Sequence, residues 1–391
     1  MSRKLGTQNF LLYLFFFSLN FEVWDPFNTG GNFSVAKLTG FLYTFSLIFK
    51  IQYFLKSPRG LKTHLRLILF FYIFLFLISL FNINVYSSDF IQFSILQNLI
   101  LLVFLLNHER LNSGVLEKSF IFFLLGSLVL AACFYLGIGL EKNVEGRVSL
   151  FGDNENIIGV RMVVSALVLT HIILKYRKRI SKFIYALLPF GYLPLVTLML
   201  NTGSRLSFIS LFLGISVIFI LHKQRGVFSK ILFLVVGVIA AIFLYDLALQ
   251  SETLATRLTE TAEEGNISGR DEIWLSILPL IEDNWIIGVG RTGYIEYITK
   301  LYGGIKSPHN VIVEVLAYTG IIGFMLFFGF IGKAFLNAYN YLRKYNEVIP
   351  FVFFVPILGI VFTAQILTLK LGWVIFAYAA SRALYLKNTT Q

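Results

Sequence analysis

Long apolar runs recur along almost the whole chain, separated by short polar breaks. Each run is close to the ~20 residues that a helix needs to cross a bilayer. Read this way, spans are expected at 8–24, 33–55, 64–84, 89–107, 119–140, 157–175, 183–200, 205–222, 231–249, 309–335, 348–367 and 369–387. The pattern predicts an all-α polytopic membrane protein with about 12 transmembrane helices. The first run, from Phe10, lacks a small-residue cleavage site before its polar break and reads as a retained helix.

Composition agrees with the pattern. Of 391 residues, 57% are hydrophobic and 14% charged, where a soluble domain would carry about 25% charged. Cys133 is the single cysteine and lies inside an apolar run, which excludes an intramolecular disulfide and a zinc site built on two or more cysteines. A net charge of +12 would suggest nucleic acid in a soluble protein. Here the bases instead mark the loops on the cytoplasmic side, and no nucleic-acid partner is expected.

With Arg3 and Lys4 inside, the cytoplasmic loops carry Lys56/Arg59/Lys62, then Arg110/Lys118, then Lys175 to Lys182, then Lys223/Arg225/Lys230, then Arg343/Lys344. The intervening loops, such as "NINVYSSD" and "NTGS", carry almost none. The chain is therefore expected to be a multi-pass membrane protein with both termini cytoplasmic. Residues 250–308 break the short-loop pattern and are expected on the extracytoplasmic side. Ile273, Trp274, Ile277, Leu278 and Ile281 fall at helical spacing within them, as do Tyr294, Tyr297, Ile298 and Leu301. This long loop should hold two short amphipathic helices joined by "GVGRTG", Gly288–Gly293. By segment, 1–140 form N-terminal transmembrane helices, 141–335 a catalytic transmembrane region with the loop, and 336–391 C-terminal helices.

Charges bordering a span are costly unless paired or functional. On the outer face they cluster in four places. "NTGSRLSFISL" opens a span with Arg205, and "GRVSLFGDNENIIGVRMVV" holds Arg147, Asn156 and Arg161. "ISGRDEIW" holds Arg270, and "SPHN" holds His309 and Asn310, with Glu314 five residues beyond the histidine. Three of the spans involved begin outside, and their helix N-termini favour anions. Ser204 and Asn156 are expected N-caps; in "SPHN" Ser307 suits the cap and Pro308 the first helical position. His309 in a first turn should be neutral at pH 7 and able to accept a proton, while arginines can hold a phosphate.

Each feature also has a plainer reading. Arg205 could snorkel at a span end, and His309 could cap or pack. Arg161 could pair with Glu314. Gly320 and Gly323 suit close helix packing, the loop's Trp and Tyr suit interface anchoring, and "GVGRTG" lacks the strand of a phosphate loop.

The order "TGSRLSFISL", "SGRDEIWLSILPLIEDNWIIGVGRTGY", "HNVIVEVLAYTGIIG" resembles the O-antigen polymerase and O-antigen ligase superfamily. "RVSLFGDNENIIG" is similar to that family's upstream "NPN" element, with Glu155 where proline is common, and Trp285 also stands where a proline is often found. The resemblance covers about residues 145–330. It implies a GT-C-like fold and an inverting, metal-independent membrane glycosyltransferase without a cofactor. Its substrates would be undecaprenyl-diphosphate-linked glycans, and its surroundings membrane lipids, a flippase and a chain-length regulator. By motif, Arg205 and Arg270 would bind the donor diphosphate and His309 would activate the acceptor hydroxyl. Arg147, Asn156, Arg161, Arg291, Asn310 and Glu314 are the further substrate-binding candidates. Polymerisation of repeat units for O-antigen, capsule or exopolysaccharide is preferred to ligase-type transfer to another acceptor. A lipid-linked oligosaccharide flippase is the alternative from another class, although such transporters place charges near the bilayer midplane.

Overall fold

The computed structural model describes residues 5–30, 33–55, 60–82, 92–143, 145–177, 180–221 and 270–387. The expected span at 231–249, residues 250–269 of the expected outer loop, and the loop bases Lys56, Arg59, Lys178, Arg179, Lys223, Arg225 and Lys230 lie outside them. The described residues are mostly helical. Among the described residues, five helices are long and apolar enough to cross a membrane: Lys62–Phe81, Val115–Leu136, Glu155–Lys175, Lys182–Asn201 and Val311–Tyr345. Arg205–Leu221 and Ile349–Thr363 are apolar but shorter.

An all-α expectation misses one element. Leu140–Lys142 and Val148–Leu150 form an antiparallel two-stranded hairpin, with Leu140 opposite Leu150 and Lys142 opposite Val148. Val148 and Leu150 are buried on the same face, as the period-2 alternation of a strand requires.

The chain divides into two compact units, each drawing on all three sequence segments named above. The first comprises Met1–Ile51, Leu111–Gly265 and Leu342–Gly359; the second comprises Gln52–Arg110, Asn266–Tyr341 and Ile360–Gln391. In the first unit, Glu155–Lys175 is the central helix, buried without interruption from Ile157 to Thr170. A helix apolar on every face belongs inside a bundle. Val115–Leu136, Tyr192–Asn201 and Arg205–Leu221 pack around it. A side chain on Gly159 would lie 2.5 Å from Ser207 Oγ, so the absence of one lets the Arg205 helix approach.

In the second unit, Lys62–Phe81 packs against Gly290–Tyr302. Thr292 Oγ1 donates to Ser79 O at 2.8 Å, and a Cβ on Gly290 would lie 2.7 Å from the Ser79 backbone. The helix Lys370–Ser381 is buried from Leu371 onward, and beyond it Arg382 Nη2 donates to Glu109 at 2.7 Å.

Val311–Tyr345 is not one straight rod. Gly320 leaves the helical region with φ 55° and ψ −160°, so the helix has a short arm from Val311 to Thr319 and a long arm after it. The segment that follows the first amphipathic helix binds this break. Ile321 N donates to Trp285 O at 2.8 Å, Ile322 N to Ile286 O at 3.3 Å, and Val289 N to Ala317 O at 3.0 Å. Non-helical backbone inside a helix long enough to cross a membrane needs its polar groups satisfied by protein, and these three bonds do so. The approach is backbone to backbone: a Cβ on Gly288 would lie 2.5 Å from Thr319 N, and one on Gly320 would lie 2.6 Å from Ile287 N. These glycines serve a crossing of two backbone segments rather than of two regular helices.

Candidate functional site

The residues singled out by sequence fall into two groups, one in each unit. In the second unit, the amphipathic helices occupy Arg270–Asp283 and Gly290–Tyr302. Their aromatic stripe forms bonds as well as surface. Trp274 Nε1 donates to Pro308 O at 2.7 Å and Tyr294 OH to Lys306 O at 2.8 Å. Tyr297 OH donates to Ser276 O at 2.9 Å, and Tyr302 OH lies 3.0 Å from Ser276 Oγ. Arg270 and Trp274 are four residues apart on one helix. The residue that opens the helix is thereby tied to the turn ahead of His309.

That turn differs from expectation. The helix starts at Val311, and Asn310 is its cap: Asn310 Oδ1 accepts from Ile312 N at 2.9 Å and Val313 N at 3.3 Å. Ser307 Oγ instead accepts from His309 N at 3.1 Å. His309 sits ahead of the helix with φ 48°, a left-handed conformation that histidine adopts more readily than most side chains. That backbone cannot continue a helix started at Pro308, which is why the cap moves on to Asn310. Burial, and next the positive charge of Arg270, push the His309 imidazole below its ordinary pKa. Both effects favour the neutral imidazole. Asn310 is 6% exposed and committed to the backbone.

One helical turn into the short arm, Glu314 is 3% exposed and its Oε2 has no hydrogen-bond partner. Tyr318 and Arg291 face it, and Arg291 also bonds Tyr318. Arg291 follows Gly290 in the start of the second amphipathic helix, where its own N–H donates to Ser79 Oγ at 3.1 Å.

In the first unit, Arg147 is 7% exposed at the start of the second strand. Its Nε donates to Thr202 O at 2.9 Å and its Nη2 to Asn156 Oδ1 at 2.9 Å, with Glu155 3.7 Å away. Arg147 is thus fastened to the turn that leads into Arg205, which opens its helix half-buried. Ser204 Oγ accepts from Ser207 N at 3.4 Å, as an N-cap does. Asn156 is not a cap: Asn154 Oδ1 accepts from Asn156 N at 2.9 Å, leaving the Asn156 amide for Arg147. Arg161 does not pair with Glu314. Its fully buried guanidinium bonds Asp153 and, at 3.3 Å, Glu22.

The structure therefore brings together Arg147, Asn156 and the Arg205 turn in one unit. In the other it brings together Arg270, His309 and Asn310, with Arg291 and Glu314 as a neighbouring pair. Trp274, Ser276 and Tyr318 were missed as positioning residues; the helical spacing of Trp274 from Arg270 was their only signal. Asp153 and Glu22 were missed as partners of Arg161. Among the described residues, no group of three or more His, Cys, Asp or Glu side chains could hold a metal ion.

Comparison with known families gives one finding. No curated protein matches the chain. Residues 190–328 match the family described as O-Antigen ligase. The matched stretch contains Arg205, Arg270, Arg291, His309, Asn310 and Glu314, while Arg147, Asn156 and Arg161 precede it. Residues 190–328 are thus similar to the O-antigen ligase family, a likeness consistent with the O-antigen polymerase and ligase superfamily.

Proposed function

We propose that the protein is a membrane glycosyltransferase that polymerises undecaprenyl-diphosphate-linked repeat units at the outer face of the cytoplasmic membrane. The observation that carries this reading is a half-buried His309 whose imidazole pKa is lowered by burial and next by Arg270, with the turn ahead of it fixed by the bond from Trp274 to Pro308. A neutral imidazole can take the proton of an acceptor sugar hydroxyl as its oxygen attacks the anomeric carbon. The bond to the lipid diphosphate breaks on the opposite face, inverting that carbon. The leaving diphosphate gains charge in the transition state, and Arg270 supplies a fixed cation for it without a metal. By its motif alone, Arg205 is a further candidate for binding a donor diphosphate. Arg161 is a scaffold residue, since two carboxylates already occupy its guanidinium.

The family description favours a second reading, in which the same donor chemistry delivers the glycan to a different acceptor. The test is an assay of purified protein with undecaprenyl-diphosphate repeat unit and excess chelator, comparing wild type with His309→Ala, Arg270→Ala and Arg205→Ala. A ladder of lengthened lipid-linked glycans, lost in the variants, supports polymerisation. Transfer seen only when a second acceptor class is added supports ligation. Movement of the lipid-linked unit across a bilayer with no new glycosidic bond would overturn both in favour of a flippase.

A further inference from the structure

We propose that a cleft in the second unit, beside the start of the helix Lys62–Phe81, holds one anionic membrane phospholipid. The cleft has a volume of about 520 Å³ and is lined by Lys62, Leu65, Arg66 and Leu69 from that helix and by residues including Ile100 and Phe104 from the helix Phe93–Leu111. This lies in the range of sites that take small ligands. Its walls are apolar and its one charged end is entirely positive.

Three observations point to an anion with an apolar tail. Lys62 and Arg66 are four residues apart, so their side chains lie on one helix face, with Leu65 and Leu69 alongside. Among the described residues neither cation has a carboxylate partner. Both also sit where cations are unfavourable, in the first turns of a helix, whose free N–H groups carry partial positive charge. No acidic residue occupies that first turn, and Leu61 at the cap position provides no side-chain bond. Nothing described neutralises this end, and a phosphate would. Below it, Leu69 and Ile100 are 46% and 42% exposed, which suits contact with an acyl chain.

The cleft is separate from the transfer site. Ser79, which binds the Arg291 and Thr292 region, is seventeen residues further along the same helix, about 25 Å at 1.5 Å per residue. The distribution of Lys and Arg assigns the Lys62 end to the cytoplasmic side, where anionic lipids attract basic residues and basic pockets between helices take lipid headgroups. The inference does not depend on the proposed reaction. A phospholipid fixed there would wedge the two helices at the inner leaflet.

Native mass spectrometry of the purified full chain, titrated with phosphatidylglycerol or phosphatidylcholine, tests the site. Wild type should bind one phosphatidylglycerol in preference to phosphatidylcholine. The double variant Lys62→Gln/Arg66→Gln should lose about 30-fold in that affinity, roughly fivefold for each cation near an anionic lipid. Leu69→Trp, a change at a half-exposed position, should weaken binding by filling the cleft while leaving both cations in place. Equal binding of the two lipids would overturn the proposal, as would an unchanged affinity in the double variant. Displacement of phosphatidylglycerol by undecaprenyl phosphate at lower concentration would overturn the identity of the occupant.

Discussion

Replacing Gly320 by alanine tests whether the broken helix is locked by a backbone crossing. Two costs can be worked from the structure. The backbone there, φ 55° and ψ −160°, belongs to a region that only glycine adopts freely, and holding another residue in it costs about 1–3 kcal/mol. The new methyl would also lie 2.6 Å from Ile287 N and overlap the Ile286 carbonyl, an overpacking cost of about 1–3 kcal/mol. Alanine restricts the unfolded chain and offsets about 0.4–1 kcal/mol of this. The expected loss is therefore about 1–6 kcal/mol. Gly332→Ala is the matched control, because it lies in the long arm of the same helix with no atom within 4 Å. That change should gain up to about 1 kcal/mol of helix propensity. Unfolding in detergent followed by tryptophan fluorescence measures both. Hydrogen exchange at the Ile321 and Ile322 amides, which donate to Trp285 and Ile286, localises the effect. If the two variants unfold within 1 kcal/mol of each other, the crossing does not hold the break and the reasoning fails.

Arg161→Leu should cost about 3–5 kcal/mol in denaturation, because it strands Asp153 and Glu22 without their buried cation; Arg161→Lys should recover part of this. Trp274→Phe removes the bond to Pro308 O, worth about 1 kcal/mol, and should lower turnover more than it raises the donor KM. The pH profile of transfer should stay flat through pH 7 and fall only on the acid side, since His309 is held below the ordinary histidine pKa and must be neutral to act. By the same sign, the unfolded chain binds the extra proton first, so His309 subtracts stability as pH falls below about 6.5. Arg270→Gln removes one cause of the lowering, and the acid limb of any residual activity should move to higher pH.

The helices were legible because their signal is periodic and local. Ile273 to Ile281 and Tyr294 to Leu301 carry a 3.6-residue repeat, and the helices Arg270–Asp283 and Gly290–Tyr302 follow it. Caps were less legible, because each start offers several residues able to cap. "DNEN" and "SPHN" both contain competing oxygens, and contacts distant in sequence decided between them. Arg147 draws the Asn156 amide away from a capping role, and Trp274 fixes Pro308 in a turn that leaves Asn310 to cap. Of the two partners of Arg161, Glu22 was illegible for the same reason, since it lies 139 positions away, whereas Asp153 is only eight away. The hairpin escaped because three-residue strands are too short to display alternation.

The plainest account of a histidine at the start of a helix is that it caps, and the structure removes that account for His309. The capping bonds come from Asn310, and Ser307 takes the His309 N–H, so the helix start is satisfied without the imidazole. Among the described residues the ring makes no hydrogen bond of its own. A left-handed backbone at a non-glycine residue costs free energy, and such strain collects where a side chain is held for use. Packing alone would need neither that backbone nor an arginine close enough to lower the imidazole pKa. Ser307, Asn310 and Trp274 fix the backbone around His309 while its ring makes no hydrogen bond among the described residues, an arrangement that fits the proposed role as a base. Capping by the imidazole therefore does not account for the polar edge before Val311, whereas the proposed proton transfer does.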